Sequence, residues 1–173
     1  MLQENTEIYR GLQYPFGRTA KLGTEEHVEI ADGIYWVRFP MPMALDHINV
    51  WLLEDGDGWT VVDTGLNLAD AREQWEGIFE RVLKGRPIHR VICTHMHPDH
   101  VGLAGWLCER FACELWMSRT EYLYCRMLVA DTGRTAPDEA LEFYRRAGYN
   151  EEQLERYKKR FGFFGKAVST LPQ

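Results

Sequence analysis

The spacing of apolar positions changes along the chain, and each change marks a different kind of element. Between residues 28 and 63 apolar side chains alternate or run in short blocks, the spacing of β-strands. Val28-Glu29-Ile30 and Ile34 to Phe39 flank Asp32-Gly33 and are predicted to form a hairpin. Pro40-Met41-Pro42-Met43 breaks the second strand into a loop that continues through Asp46-His47. Asn49 to Leu53 and Trp59 to Asp63 read as strands joined at Asp55-Gly56-Asp57-Gly58, and their wealth of Val, Leu, Ile and Trp suits a sheet covered on both faces. From Leu68 the period becomes helical: Leu68, Ala71, Trp75, Ile78, Phe79, Val82 and Leu83 share one face. Asn67 is the expected N-cap with Asp70 three residues on, Gly85 ends the helix and Pro87 bars its return. Ile88 to Cys93 is then a strand of the kind that follows a crossover helix. Strand, helix and strand make a βαβ unit, and open α/β sheets place their sites at the carboxyl ends of such strands.

Downstream, Val101 to Phe111 reads as a helix and Glu114 to Met117 as a short strand. After Met117 only helical patterns remain. Arg119 to Val129 is one; Thr135-Ala136-Pro137-Asp138-Glu139 starts a second with proline in its first turn, and Gly148 ends it. Asn150 caps a third, with Gln153 in the box position and Tyr149 and Leu154 placed as a hydrophobic staple, and Gly162 stops it. Residues 1–24 show no clear period and read as an extended arm. The pattern predicts an α/β chain in three parts: the arm at 1–24, a mixed β-sheet with flanking helices at 25–117, and a segment at 118–173. In that last segment residues 118–165 are a helical insertion, either a lid over a cleft or additional core.

Composition narrows the function. A chain of 173 residues, 45% hydrophobic, is long enough to bury a core and is not a disordered segment. Its formal charge of −6 argues against nucleic acid as a partner, since that binding rests on Lys and Arg facing phosphates. No apolar run approaches the roughly 20 residues that span a bilayer. Met1-Leu2-Gln3-Glu4-Asn5 lacks the basic and apolar regions of a signal peptide, so the expected location is cytoplasmic, with no membrane partner. The four cysteines, Cys93, Cys108, Cys113 and Cys125, lack paired-ligand spacing and read as buried reduced thiols.

The chemistry concentrates in Thr94-His95-Met96-His97-Pro98-Asp99-His100. Three of the chain's six histidines and a carboxylate lie within six residues, directly after the apolar run Val91-Ile92-Cys93. Imidazole and carboxylate suit zinc, and iron or manganese as well. His95 and His97 would diverge by about 200° on a helix but can converge on one ion in an extended loop. Pro98 keeps the segment extended before it. Asp99 and His100 fall where a helix begins and can turn toward a second point. The segment thus offers two half-sites side by side.

His95-x-His97-x-Asp99-His100 after an apolar strand resembles the signature of the metallo-β-lactamase-fold hydrolases, and Thr60-Val61-Val62-Asp63-Thr64-Gly65 is similar to that family's Asp-Thr-Gly turn. The resemblance runs from about Val28 to Met117. It implies an αββα sandwich of which these residues form the N-terminal half. It further implies two zinc ions, His95 and His97 serving the first, Asp99 and His100 the second. Asp99 would also orient a metal-bound hydroxide that attacks a small-molecule ester, thioester, lactam or lactone. Asp63 would support the ligand loop without touching metal, and Met41, Met43 and His47 would border the substrate cleft, unless they form an ordinary loop packed on the core. The family completes its site with two more histidines and a bridging aspartate, yet no histidine follows His100, and no second sheet follows Met117. The chain is therefore expected to be the first half of a longer hydrolase, or else a compact variant fold. Alone it should bind metal weakly, turn over negligibly and self-associate through the sheet face left uncovered. The rivals are a mononuclear iron oxidoreductase, a non-catalytic binding fragment and, against the net charge, a nuclease.

Overall fold

The computed structural model describes residues 6–17, 22 and 26–172. Two short strands, β1 (Glu7–Tyr9) and β2 (Leu12–Tyr14), form a hairpin of their own. The sequence gives only an arm here because no apolar period marks it. The turn makes the hairpin: Arg10 and Gly11 adopt φ of 50° and 79°, which matches the twist of the flanking strands. Residues 1–5, 18–21 and 23–24 of the expected arm lie outside the described residues.

The main sheet has six strands: β3 (His27–Ala31), β4 (Ile34–Pro40), β5 (His47–Asp55), β6 (Gly58–Val62), β7 (Ile88–Ile92) and β8 (Glu114–Trp116). They lie side by side in chain order, antiparallel from β3 to β6 and parallel from β6 to β8. The helices are α1 (Ala69–Ile78), continued by a π-helical turn at Phe79–Leu83, α2 (Pro98–Val101), α3 (Ala104–Phe111), α4 (Arg119–Ala130), α5 (Asp138–Arg146) and α6 (Glu151–Arg160), followed by a 3₁₀ turn at Phe164–Ala167. Among the described residues no strand follows β8, and no helix is long and apolar enough to cross a membrane.

One face of the sheet is buried. Val37, Phe39, Ile48, Val50, Leu52, Val61 and Val91 form the core with Trp75 of α1 and Leu107 of α3. Rings stitch the layers: Phe39 lies 5.3 Å from Trp75, Trp75 lies 5.8 Å from Phe79, and Phe79 lies 5.9 Å from Trp106. The opposite face differs from the expectation of a sheet covered on both sides. Strand register aligns Val28, Trp36, Trp51, Val62, Ile92 and Trp116 in one row across all six strands. None of the six is fully buried, and Trp116 is 47% exposed. Phe16, beyond the small hairpin, approaches Trp36 at 6.1 Å.

Several local expectations are overridden by other contacts. Asn67 does not cap α1; Leu68 is the N-cap, and Asn67 Oδ1 accepts hydrogen bonds from Arg72 instead. The helix expected from Val101 is broken at Gly102-Leu103. A Cβ on Gly102 would stand 2.5 Å from the Gly65 carbonyl and 2.7 Å from the Asn67 nitrogen, so that backbone passes too close for any other residue. Pro137 is the N-cap of α5 and lies just outside its first turn. Tyr149 meets Tyr144 in a tilted ring contact at 4.8 Å, while Leu154 is buried. The capping box of α6 forms as read, with Asn150 and Gln153 exchanging hydrogen bonds.

Candidate metal centre

β6 and β7 are parallel and adjacent, with Val62 opposite Ile92, so their carboxyl ends are level. Asp63 and Thr94 therefore emerge together. Asp63 is 4% exposed and sits at φ 62°, a left-handed conformation that Asp tolerates better than most residues. Its Oδ1 accepts the Thr94 backbone N–H at 2.9 Å, and its Oδ2 accepts from Thr94 Oγ1 at 2.9 Å and meets His100 Nδ1 at 2.8 Å. Burial pushes the Asp63 carboxyl up, but the bonds from His100 and Thr94 and the charge of His100 outweigh it and hold the carboxyl below its usual value. For His100 the same pair works in reverse: burial opposes its charge, and Asp63 overcomes it and raises the imidazole's pKa.

With Nδ1 taken by Asp63, His100 presents Nε2, which lies 3.4 Å from Asp99 Oδ2. The other pair is built alike. Thr94 Oγ1 lies 3.0 Å from His95 Nδ1, leaving His95 Nε2 only 2.9 Å from His97 Nδ1. Burial, then the charges of His100 and His97, lowers the His95 pKa and favours the neutral imidazole that binds metal. The His95 and His100 rings are 3.9 Å apart between centroids, so the two pairs adjoin. His97 is extended at φ −59°, ψ 142°, as Pro98 requires, and Pro98 opens α2, which carries Asp99 and His100.

Other residues hold this loop. Thr64 donates its hydroxyl to the His100 carbonyl at 2.7 Å and accepts from the Leu103 N–H at 3.0 Å. Glu121 of α4 accepts the Met96 N–H at 2.8 Å. Sequence reasoning passed over Thr94, Thr64 and Glu121. Glu121 had a signal, Ser118-x-x-Glu121, but its carboxylate serves the loop; Ser118 alone caps, accepting from the Glu121 N–H at 3.2 Å. Cys93 is buried, with its thiol pushed up by burial, and its sulfur rests 3.8 Å from the His100 carbonyl oxygen. None of the four cysteines is in a disulfide; Cys113 is half-buried where the others are buried.

The expected cleft residues separate. Met41 is buried in the core, Met43 is exposed, and His47 is the first residue of β5, its Nδ1 within hydrogen-bond reach of Arg38 and Asp46. An open groove of about 640 Å³ borders the loop instead, lined by Ile92, Thr94, Leu115, Trp116 and Met117.

By type these donors fit zinc. A tetrahedral ion with Zn–N of about 2.05 Å sets its nitrogens roughly 3.3 Å apart, near the spacing of the His95–His97 pair. By number they fall short, because a catalytic zinc takes three protein ligands. Among the described residues no group of three or more donors gathers to hold an ion.

Comparison with known proteins agrees with the geometry. The family profile described as "Metallo-beta-lactamase superfamily" matches residues 43–164. Among curated proteins the chain is similar to a "Probable metallo-hydrolase YybB" of Bacillus subtilis, 29% identical over 56% of this chain and 42% of that one. It is also similar to the human "Acyl-coenzyme A thioesterase MBLAC2", 30% identical over 44% of this chain and 29% of that one. Among solved structures, a beta-lactamase domain protein from Burkholderia ambifaria superposes with a TM-score of 0.72 at 36% identity, over 92% of this chain and 46% of that one. The chain spans less than half the length of each of these relatives.

Proposed function

The chain belongs to the metallo-beta-lactamase superfamily, and from that premise we propose that residues 94–100 form part of a two-metal hydrolase centre acting on an ester, thioester, lactam or lactone. The observation that carries this is the facing of metal-ligating atoms, His95 Nε2 with His97 Nδ1 and His100 Nε2 with Asp99 Oδ2, each imidazole of the first and last positions being oriented through its other nitrogen. His95 and His97 would hold one ion and Asp99 and His100 the other; zinc is the first choice, and iron or manganese accept the same donors. Bound zinc supplies Lewis acidity that polarises a carbonyl and brings the pKa of water near neutral. Asp63 fixes the tautomer of His100, the part that a carboxylate behind a metal-bound histidine plays. Asp99 is placed to orient the attacking water, and the groove beside Trp116 accepts the apolar part of a small-molecule substrate. The thioesterase among the relatives supports the acyl-transfer class.

Each half-site has two donors on this chain, so the remaining ligands are supplied from outside them. The 173-residue chain alone is expected to hold metal below one equivalent per site and to hydrolyse little. The test is zinc content after dialysis for the chain and for His95→Ala/His97→Ala and Asp99→Ala/His100→Ala variants. Turnover of an ester, an acyl-CoA thioester and a β-lactam by the whole protein is measured beside it. Each double variant should lose its share of the metal and abolish turnover. Metal retained in full by both variants would overturn the assignment, and a coloured iron centre would favour the oxidoreductase.

A further inference from the structure

Two of the four cysteines meet where α3 ends. Cys108 lies in the last turn of that helix, and Cys113 immediately precedes β8. Between them Ala112 adopts the left-handed conformation, φ 50°, and turns the chain back. The Cys113 N–H then donates to the Cys108 carbonyl at 3.1 Å. A carbonyl oxygen and an amide nitrogen this close hold their two Cα atoms within about 7 Å, the reach of a disulfide. The side chains converge too, the Cys108 S–H donating to Cys113 Sγ. Both line one hollow of about 460 Å³ between α3 and residues 170–172.

The two thiols are not equivalent. Cys113 is half-buried and also lines a second hollow, about 690 Å³, that runs along β8 past Trp116 and Tyr122. The bond from Cys108, with one from its own backbone, outweighs burial and holds the Cys113 thiol below its usual value. Cys108 is 4% exposed, and the same bond, then burial, pushes its thiol up. A reagent entering either hollow therefore meets the sulfur that ionises more readily, with a protonated sulfur behind it. Cys93 and Cys125 are closed off: both are buried, and burial pushes both thiols up, Cys125 to about 11.

We propose that Cys108 and Cys113 form a dithiol site that small disulfides oxidise, with Cys113 as the attacking sulfur and Cys108 as the resolving one. The Cys113 thiolate attacks one sulfur of the reagent. A mixed disulfide forms, the reagent's S–S bond breaks, and one thiolate leaves and is protonated. Cys108 then gives up its proton and attacks Cys113 Sγ. The Cys108–Cys113 bond forms, the mixed disulfide breaks, and a second small thiol departs. Two protein thiols are oxidised and one small disulfide is reduced to two thiols. The bridge pins the end of α3 to the start of β8, whose Leu115 and Trp116 border the groove beside the histidine loop.

The folded chain is exposed to glutathione disulfide with a chelator present, alkylated with iodoacetamide, and mapped by mass spectrometry. Trypsin cleaves after Arg110, so the expected bridge links peptide 91–110 to peptide 111–119, with Cys93 in the first of these alkylated. Before oxidation, Cys113 should alkylate at least about tenfold faster than Cys93 and Cys125. Cys108→Ser should stop at glutathione on Cys113, and Cys113→Ser should take up none. Circular dichroism checks that each variant is folded, and the parent's map decides alone should one fail. The proposal is overturned if the folded parent forms no bridge, if its bridge joins another pair, if all four cysteines alkylate at one rate, or if folded Cys108→Ser leaves Cys113 without glutathione.

Discussion

Asp63 combines a left-handed backbone with a buried charge that organises Thr94 and His100. Asp63→Asn keeps the shape and the tolerance of φ 62° but removes the charge. Metal affinity is expected to fall about 10–100-fold, read by competition with a chromogenic chelator. Asp63→Ala should lose as much affinity and about 1 kcal/mol more stability, because alanine resists the left-handed region. Gly102→Ala places a methyl against the backbone of Gly65 and Asn67 and should lower stability by about 1–3 kcal/mol in a urea titration. The histidine cluster was legible in the sequence because four donor side chains in six residues have no packing explanation. Thr94 and Glu121 were not, since their parts depend on partners 31 and 25 residues away. Met41 was left open between cleft and core, because flanking prolines mark a loop without saying which way it packs, and the core takes it.

Among elements, α4 is the one that joins the helical segment to the histidine loop. Glu121→Gln weakens a charge-assisted hydrogen bond to Met96, and amide exchange across residues 94–100 should quicken while α1 is unaffected. In α6, Asn150→Ala removes a capping box and should cost about 1 kcal/mol, seen as faster exchange in the first turn of that helix. That box was readable because both partners lie within one turn. The cap proposed at Asn67 had the same local form, yet Arg72 captures the side chain. The hairpin at β1 and β2 was invisible to a periodicity argument, since strands of three residues are too short to show a period and their turn starts with an arginine.

On the scale of the whole molecule, the row from Val28 to Trp116 leaves one side of the sheet only partly covered. Surfaces of this kind on soluble chains mark contacts. The chain is expected to self-associate in a concentration-dependent way in sedimentation, and Trp116→Lys should shift it toward the monomer; an unchanged profile would place any association elsewhere. The segment after α6 shows a different consequence of packing. Ser169 donates its N–H to the Gly102 carbonyl at 2.7 Å, the Ser169 hydroxyl accepts the Trp106 N–H at 3.1 Å, and a Cβ on Gly105 would collide with the Thr170 carbonyl. These contacts close a loop of more than sixty residues around α4, α5 and α6. Loop closure of that span is slow to reward the chain during folding, whereas β6, α1 and β7 meet over short separations. The strap should therefore dock after the rate-limiting step and release before it on the way out. Gly105→Ala should leave the refolding limb of a stopped-flow chevron where it is and raise the unfolding limb, so the strap acts as a brake on opening rather than as a guide to assembly.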